Sequence, residues 1–124
     1  VGFADVMQDC VLSSEATCIA SVNNAIAQMN NSLPGSLDSL YGNIRSRAPQ
    51  AQVVVLGYPR FYQLSGSCIA GLSEAERAAI NNASDVLNGV IAKRAADAGF
   101  TFSSVVDEFT GQSGGYLPAF RSAV

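Results

Sequence analysis

Between Val53 and Val106 the sequence reads as strand, long helix, strand, and that order constrains the fold more than anything else in the chain. Val53-Val54-Val55-Leu56 is a short, continuous, β-branched run ended by Gly57, the pattern of a parallel strand covered on both faces. Ser73-Glu74-Ala75-Glu76 then has the form of a capping box, in which the serine hydroxyl accepts from the third helical amide and Glu76 reaches back to the cap. The spacing predicts a helix from there to Gly99, burying Ala79, Ile80, Ala83, Val86, Leu87, Val90 and Ile91. Phe100 to Val106 reads as the second strand. A strand–helix–strand unit places the chain in the α/β class.

Upstream of that unit, Ile19, Val22, Ile26, Met29, Leu33, Leu37, Leu40 and Ile44 follow at spacings of three and four, the stripe of an amphipathic helix. Pro34-Gly35 predicts a kink or break in it, because proline loses the amide donor and crowds the preceding turn. Ala48-Pro49 ends it. Two strands make a poor sheet, since each parallel strand wants a partner on both sides and cover on both faces. The chain therefore reads as one domain, residues 1–124, that looks like part of a larger doubly wound fold.

Composition narrows the chemistry. The 124 residues contain no histidine, so they cannot supply a Ser-His or Cys-His pair, an imidazole metal ligand or the usual proton shuttle near neutral pH. The net charge is −3, and the seven basic residues are scattered, which disfavours a nucleic-acid partner. No stretch of about eighteen apolar residues is present, so no transmembrane segment is expected, and Val1-Gly2-Phe3-Ala4-Asp5 lacks the pattern of a signal peptide. Cys10 and Cys18 flank a polar turn and suit a disulfide; Cys68, in a Ser/Gly-rich loop, is then the unpaired cysteine.

Gly111-Gln112-Ser113-Gly114-Gly115 matches the G-x-S-x-G nucleophile elbow. The match is short, lies in a Gly/Ser-rich stretch and has no histidine to activate it. Ser113 is thus the one weak catalytic candidate, and a loop is the preferred reading. Asp5 and Asp9 with Asp107 and Glu108 do not make a convincing oxygen-ligand set, so no metal and no other cofactor is expected.

The run Arg45-Ser46-Arg47-Ala48-Pro49-Gln50-Ala51-Gln52-Val53, followed by Gly57-Tyr58-Pro59, resembles the SGNH (GDSL-type) ester hydrolases of the secreted actinobacterial branch, and the resemblance spans residues 1 to about 111. It implies part of a three-layer α/β/α, flavodoxin-like fold with a parallel sheet. It also implies a secreted serine-dependent carboxylester hydrolase, esterase or lipase, acting on an ester or lipid substrate. The family's Ser, Gly/Asn and His blocks are not among these residues. The resemblance therefore implies an internal segment, not catalytic by itself, whose export signal is not in this chain. A cysteine that the family carries after the position of Gly111 would be the natural partner of Cys68. Residues 112–124 depart from the family pattern as a divergent tail. Phe3 and, at the C-terminal end of a strand, Tyr58, Pro59 and Arg60 are the expected pocket positions. The alternative is a non-catalytic α/β module that binds a ligand or self-associates through its exposed sheet edge.

Overall fold

In a computed structural model, which describes residues 2–60 and 71–109, four helices and two short strands follow one another along the chain. Helix α1 spans Phe3–Leu12; its start is fixed by the Asp5 carboxylate, which accepts the Gly2 N–H at 2.8 Å. Helix α2, Glu15–Asn31, begins after Ser14, whose hydroxyl oxygen accepts the Thr17 N–H at 3.3 Å. Between them lies a two-residue turn closed by a disulfide joining Cys10 to Cys18.

The long apolar stripe is indeed two helices, α2 and α3, the latter spanning Leu33–Arg47. The break falls at Ser32, earlier than Pro34-Gly35. Pro34 sits in the first turn of α3, where its missing amide would have had no helical acceptor, so it starts a helix instead of kinking one. Ser32 closes α2 by donating both its amide and its hydroxyl to the Gln28 carbonyl, at 3.0 and 3.1 Å.

Strand β1, Val54–Leu56, pairs in parallel with β2, Thr101–Ser103, with Val55 opposite Phe102. Helix α4, Glu74–Asp97, crosses between them. The expected capping box is present: the Ser73 hydroxyl accepts the Glu76 N–H at 3.2 Å while Glu76 accepts the Ser73 N–H at 2.7 Å. The Ser73 hydroxyl donates in turn to Glu15 at 2.5 Å, tying the N-terminal ends of α4 and α2 together.

Two expectations need correction. The strand β1 is not covered on both faces: Val54 and Leu56 are 55% and 62% exposed, and Val55 alone turns inward, against the cluster of Tyr41, Ala95 and Phe100. No further layer lies over the outer face of this two-stranded sheet among the described residues. The buried face of α4 is also rotated from the apolar stripe, for Glu76, Arg77, Asn81 and Ser84 are buried while Ala79, Ala83, Val86, Leu87 and Val90 are only partly so. Local hydrogen bonds make this tolerable. Glu76 caps its own helix, an Arg77 guanidinium N–H donates to the Leu72 carbonyl at 3.0 Å, and the Ser84 hydroxyl donates to the Ile80 carbonyl at 3.3 Å.

The apolar core is split. One cluster joins α1, α2 and α4 through Val6, Cys10, Cys18, Val22, Leu72 and Ile80; the other joins α3, α4 and the sheet through Tyr41, Ala95 and Phe100. In the second cluster Arg45 does more than meet a helix dipole. It donates to the Pro49 and Ala51 carbonyls at 3.3 and 2.9 Å, and its guanidinium lies 4.8 Å from the centre of the Phe100 ring. Burial raises the Tyr41 phenol above its usual range there.

Candidate functional site: an apolar cavity at the end of β1

The first core cluster does not close completely. Its open side is a cavity of about 320 Å³, within the size range of small-molecule sites, with four elements contributing to its wall. Phe3 and Val6 come from α1 and Gly2 from its N-cap, and Val22, Ala25 and Met29 come from α2. Ile80, Ala83, Ser84 and Leu87 come from α4, and Tyr58 from the segment leaving β1. The incomplete burial of Ala83 and Leu87 has its cause here: they face the cavity instead of a neighbouring side chain.

Among the described residues, no charged side chain lines this wall. Its side-chain polar atoms are the Tyr58 hydroxyl and the Ser84 hydroxyl, and the latter is already spent on the Ile80 carbonyl. With no histidine in the 124 residues, neither hydroxyl has an imidazole base within this chain. Among the described residues the wall is an apolar surface suited to an apolar group.

What sets the position of Tyr58 is α4. The Asn88 side chain accepts the Tyr58 N–H and donates to the Tyr58 carbonyl, both at 2.7 Å, so one amide group satisfies both backbone groups of that residue. One turn earlier on the helix, Asp85 accepts two hydrogen bonds from the Arg60 guanidinium at 2.8 Å. Gly57 permits the close approach. A β-carbon there would sit 2.8 Å from Phe102 Cζ and 2.9 Å from Asn88 Oδ1, shorter than a non-bonded contact allows. Gly57→Ala is therefore expected to destabilise the fold by about 1–3 kcal/mol, by shifting Phe102 and Asn88. A urea-unfolding midpoint unchanged from the parent would show that both side chains yield freely.

Of the residues singled out from sequence, the structure brings Phe3 and Tyr58 to one cavity. Pro59 is buried outside the wall, and Arg60 lies along α4 paired with Asp85. Cys68 and Ser113 lie outside the described residues. Asp5 is engaged in capping α1, and among the described residues no group of three or more His, Cys, Asp or Glu side chains converges. Asp85 and Asn88 were missed. The available signal was weak: asparagine and then glycine at 88–89, inside a predicted helix interior where neither is a strong former.

The other end of α4 carries a cluster of ion pairs. Lys93 pairs with Asp97 at 3.0 Å, and Arg94 bridges Asp97 and Asp38. These partners hold the Asp97 carboxyl below its ordinary range by hydrogen bonds first from Lys93 and then from Arg94.

No profile of a known protein family matches the chain. Individual proteins do. It is 48% identical to a lipase of Streptomyces rimosus and 46% identical to lipase 1 of Streptomyces coelicolor, in each case over 98% of this chain and 56% of the relative. Among solved structures, phospholipase A1 of Streptomyces albidoflavus superimposes with a TM-score of 0.85 at 50% identity. The extracellular lipase of Streptomyces rimosus does so with 0.84 at 47%. Both superpositions cover 99% of this chain and 64% of the other. The chain thus spans little more than half the length of the curated relatives it matches. The stretch matched in the Streptomyces rimosus lipase runs to 149 aligned positions against 124 residues here. Among the described residues no helix is long and apolar enough to cross a membrane.

Proposed function

Since this chain belongs to one family with the Streptomyces lipases, the SGNH ester hydrolases that its sequence resembles, we propose that it is a segment of a secreted carboxylester hydrolase and that its cavity is the acyl-binding wall. The single observation that carries this reading is the cavity at the C-terminal end of β1, apolar and uncharged among its described lining residues, where open α/β folds place their ligands. An acyl chain gains free energy there by leaving water, at roughly 25 cal/mol for each Å² of apolar surface buried. Phe3 and Tyr58 flank the opening; Asn88 and Asp85 act at one remove by holding the backbone of Tyr58 and the side chain of Arg60.

Chemistry is a separate matter from binding. In a serine hydrolase a hydroxyl deprotonated by histidine attacks the ester carbonyl, and preorganised donors hold the oxyanion. These 124 residues contain no histidine, so the general base belongs to residues outside them and the segment does not turn over substrate alone.

The test uses two readouts on the purified chain, with its intact mass checked. A fluorescent polyene fatty acid should bind, and a short activated ester should not be hydrolysed above the buffer rate. Ala83→Trp, which fills the cavity from α4, should weaken fatty-acid binding by about tenfold or more. Undiminished binding would remove the cavity as the acyl site. Ester turnover by the parent chain that disappears in Ser113→Ala would overturn the non-catalytic reading.

A second reading, a self-associating module, is favoured by one observation: Val54 and Leu56 present an apolar sheet face to solvent. A monomeric mass by sedimentation equilibrium at 100 μM, on the order of a thousandfold above the dissociation constant of a tight dimer, would count against it.

A further inference from the structure

Helix α4 carries a weak point that its packing does not explain. Gly89 lies well inside the 24 residues of the helix, where glycine is a poor former. Neither usual reason for a glycine holds there. A β-carbon on Gly89 would meet nothing within 4 Å, and the glycines with positive φ among the described residues are Gly71 and Gly99. The residue before it is Asn88, whose amide holds both backbone groups of Tyr58. Of the eight asparagines in the chain, Asn88 alone is followed by glycine.

That pair has a chemistry of its own. Asparagine is thermolabile because the next backbone nitrogen can attack its side-chain carbonyl carbon, and a following glycine, with no β-carbon, leaves that nitrogen most accessible. The Gly89 nitrogen gives up its proton and bonds to Asn88 Cγ; the Cγ–Nδ2 bond breaks and ammonia leaves, giving a cyclic imide. Water then opens the ring at either carbonyl, to an aspartyl or an isoaspartyl residue. Water is the only co-reactant.

The fold restrains this reaction from two sides. Within α4 the Gly89 amide is directed at the Asp85 carbonyl four residues back, and helical dihedrals keep that nitrogen away from Asn88 Cγ. Across the contact, Asn88 Oδ1 accepts the Tyr58 N–H and Nδ2 donates to the Tyr58 carbonyl, both at 2.7 Å. Ring closure requires both restraints to be released together, so it samples local opening of α4 from the segment that follows β1. The product cannot restore the contact. A carboxylate has no N–H for the Tyr58 carbonyl, and the isoaspartyl form lengthens the helix backbone by one carbon.

We propose that Asn88-Gly89 is a site of spontaneous modification gated by the clamp between Asn88 and Tyr58, so that loss of ammonia turns a reversible release of the segment after β1 into a permanent one. Gly89 both lowers the cost of the opening and makes the opened pair reactive. The proposal is independent of what the cavity binds.

The experiment follows the 124-residue chain at mildly alkaline pH by peptide mapping, native and in unfolding urea, and measures amide exchange at Tyr58 in the aged native sample. In urea, Asn88 should convert ahead of the other seven asparagines. In the native chain it should convert measurably, but slower by about two orders of magnitude. Gly57→Ala, which displaces Asn88, should raise the native rate about tenfold, and urea below the unfolding transition should raise it in the parent without any substitution. Gly89→Ala should remove the fast conversion in urea and slow Tyr58 amide exchange in the native chain, with circular dichroism reporting whether each variant is folded. The aged native chain should exchange the Tyr58 amide about tenfold faster than the fresh one. Equal native and unfolded rates would overturn the gate, and a native chain that never converts would overturn the site. A native rate indifferent to both Gly57→Ala and dilute urea would remove the clamp as the gate. Unchanged Tyr58 exchange after conversion would show that the product still holds the segment, and would overturn the permanent release.

Discussion

Replacing Cys10 and Cys18 together by alanine will lower the unfolding temperature by about 10 °C, the shift expected from losing about 2.5 kcal/mol in a domain of this size. The bridge spans eight residues and closes a short loop, so it restricts the unfolded chain modestly; the larger consequence is local. Helix α1 has ten residues, fewer than an isolated helix needs in water, and holds to the body through Val6, Cys10 and the part-buried Met7. Both cysteines are essentially fully buried, so alanine also leaves their packing incomplete. Loosening α1 removes Gly2, Phe3 and Val6 from the cavity, and fatty-acid affinity should fall with it by at least tenfold. Calorimetry and fluorescence titration check the two parts. A temperature shift under about 3 °C with unchanged affinity would mean that packing alone holds α1 in place.

Asn88→Ala should cost about 2 kcal/mol, because one substitution removes both hydrogen bonds that satisfy the Tyr58 backbone. The amide proton of Tyr58 should exchange faster by about one to two orders of magnitude, as the segment after β1 detaches from α4. Asp85→Asn is the comparison. It weakens an ion pair whose side chains are 47% and 43% exposed, and such pairs contribute under about 1 kcal/mol. If the two variants lose equal stability, Asn88 is not the clamp. Gly57 belongs to the same contact, since its missing β-carbon is what lets Asn88 Oδ1 approach, so Gly57→Ala and Asn88→Ala should be less than additive.

Several elements were legible residue by residue. The capping box at Ser73 and Glu76 is a local device whose two hydrogen bonds close within four residues, so its pattern needs no tertiary partner to be recognised. The same holds for the β-branched run of β1. The break between α2 and α3 was visible but misplaced, because proline in a first turn and proline in a helix interior look alike until the turn's hydrogen bonds are known. The rotated face of α4 was not legible at all. Apolar periodicity assigns a helix its core side on the premise that polar residues face water, and Glu76 and Ser84 are instead satisfied by bonds to their own segment, while Arg77 donates one guanidinium N–H to the Leu72 carbonyl and keeps its buried Nε without a partner.

The candidate site divides along the same line. The family resemblance points to Phe3 and the end of a strand to Tyr58, yet 54 intervening residues separate them and only the packing of α1 and α4 on α2 brings both to one cavity. Pro59 and Arg60 share that position in the sequence, and it is Asn88 and Asp85, on a helix some 25 to 30 residues downstream, that hold the backbone of Tyr58 and the side chain of Arg60. Sequence by itself determined the α/β class, the start of α4 and the absence of imidazole from these 124 residues, all of which depend on near neighbours or on composition. The tertiary structure alone decided where the cavity lies, which aromatic rings reach it and which apolar surfaces remain in water, because those depend on contacts between residues that the chain holds far apart.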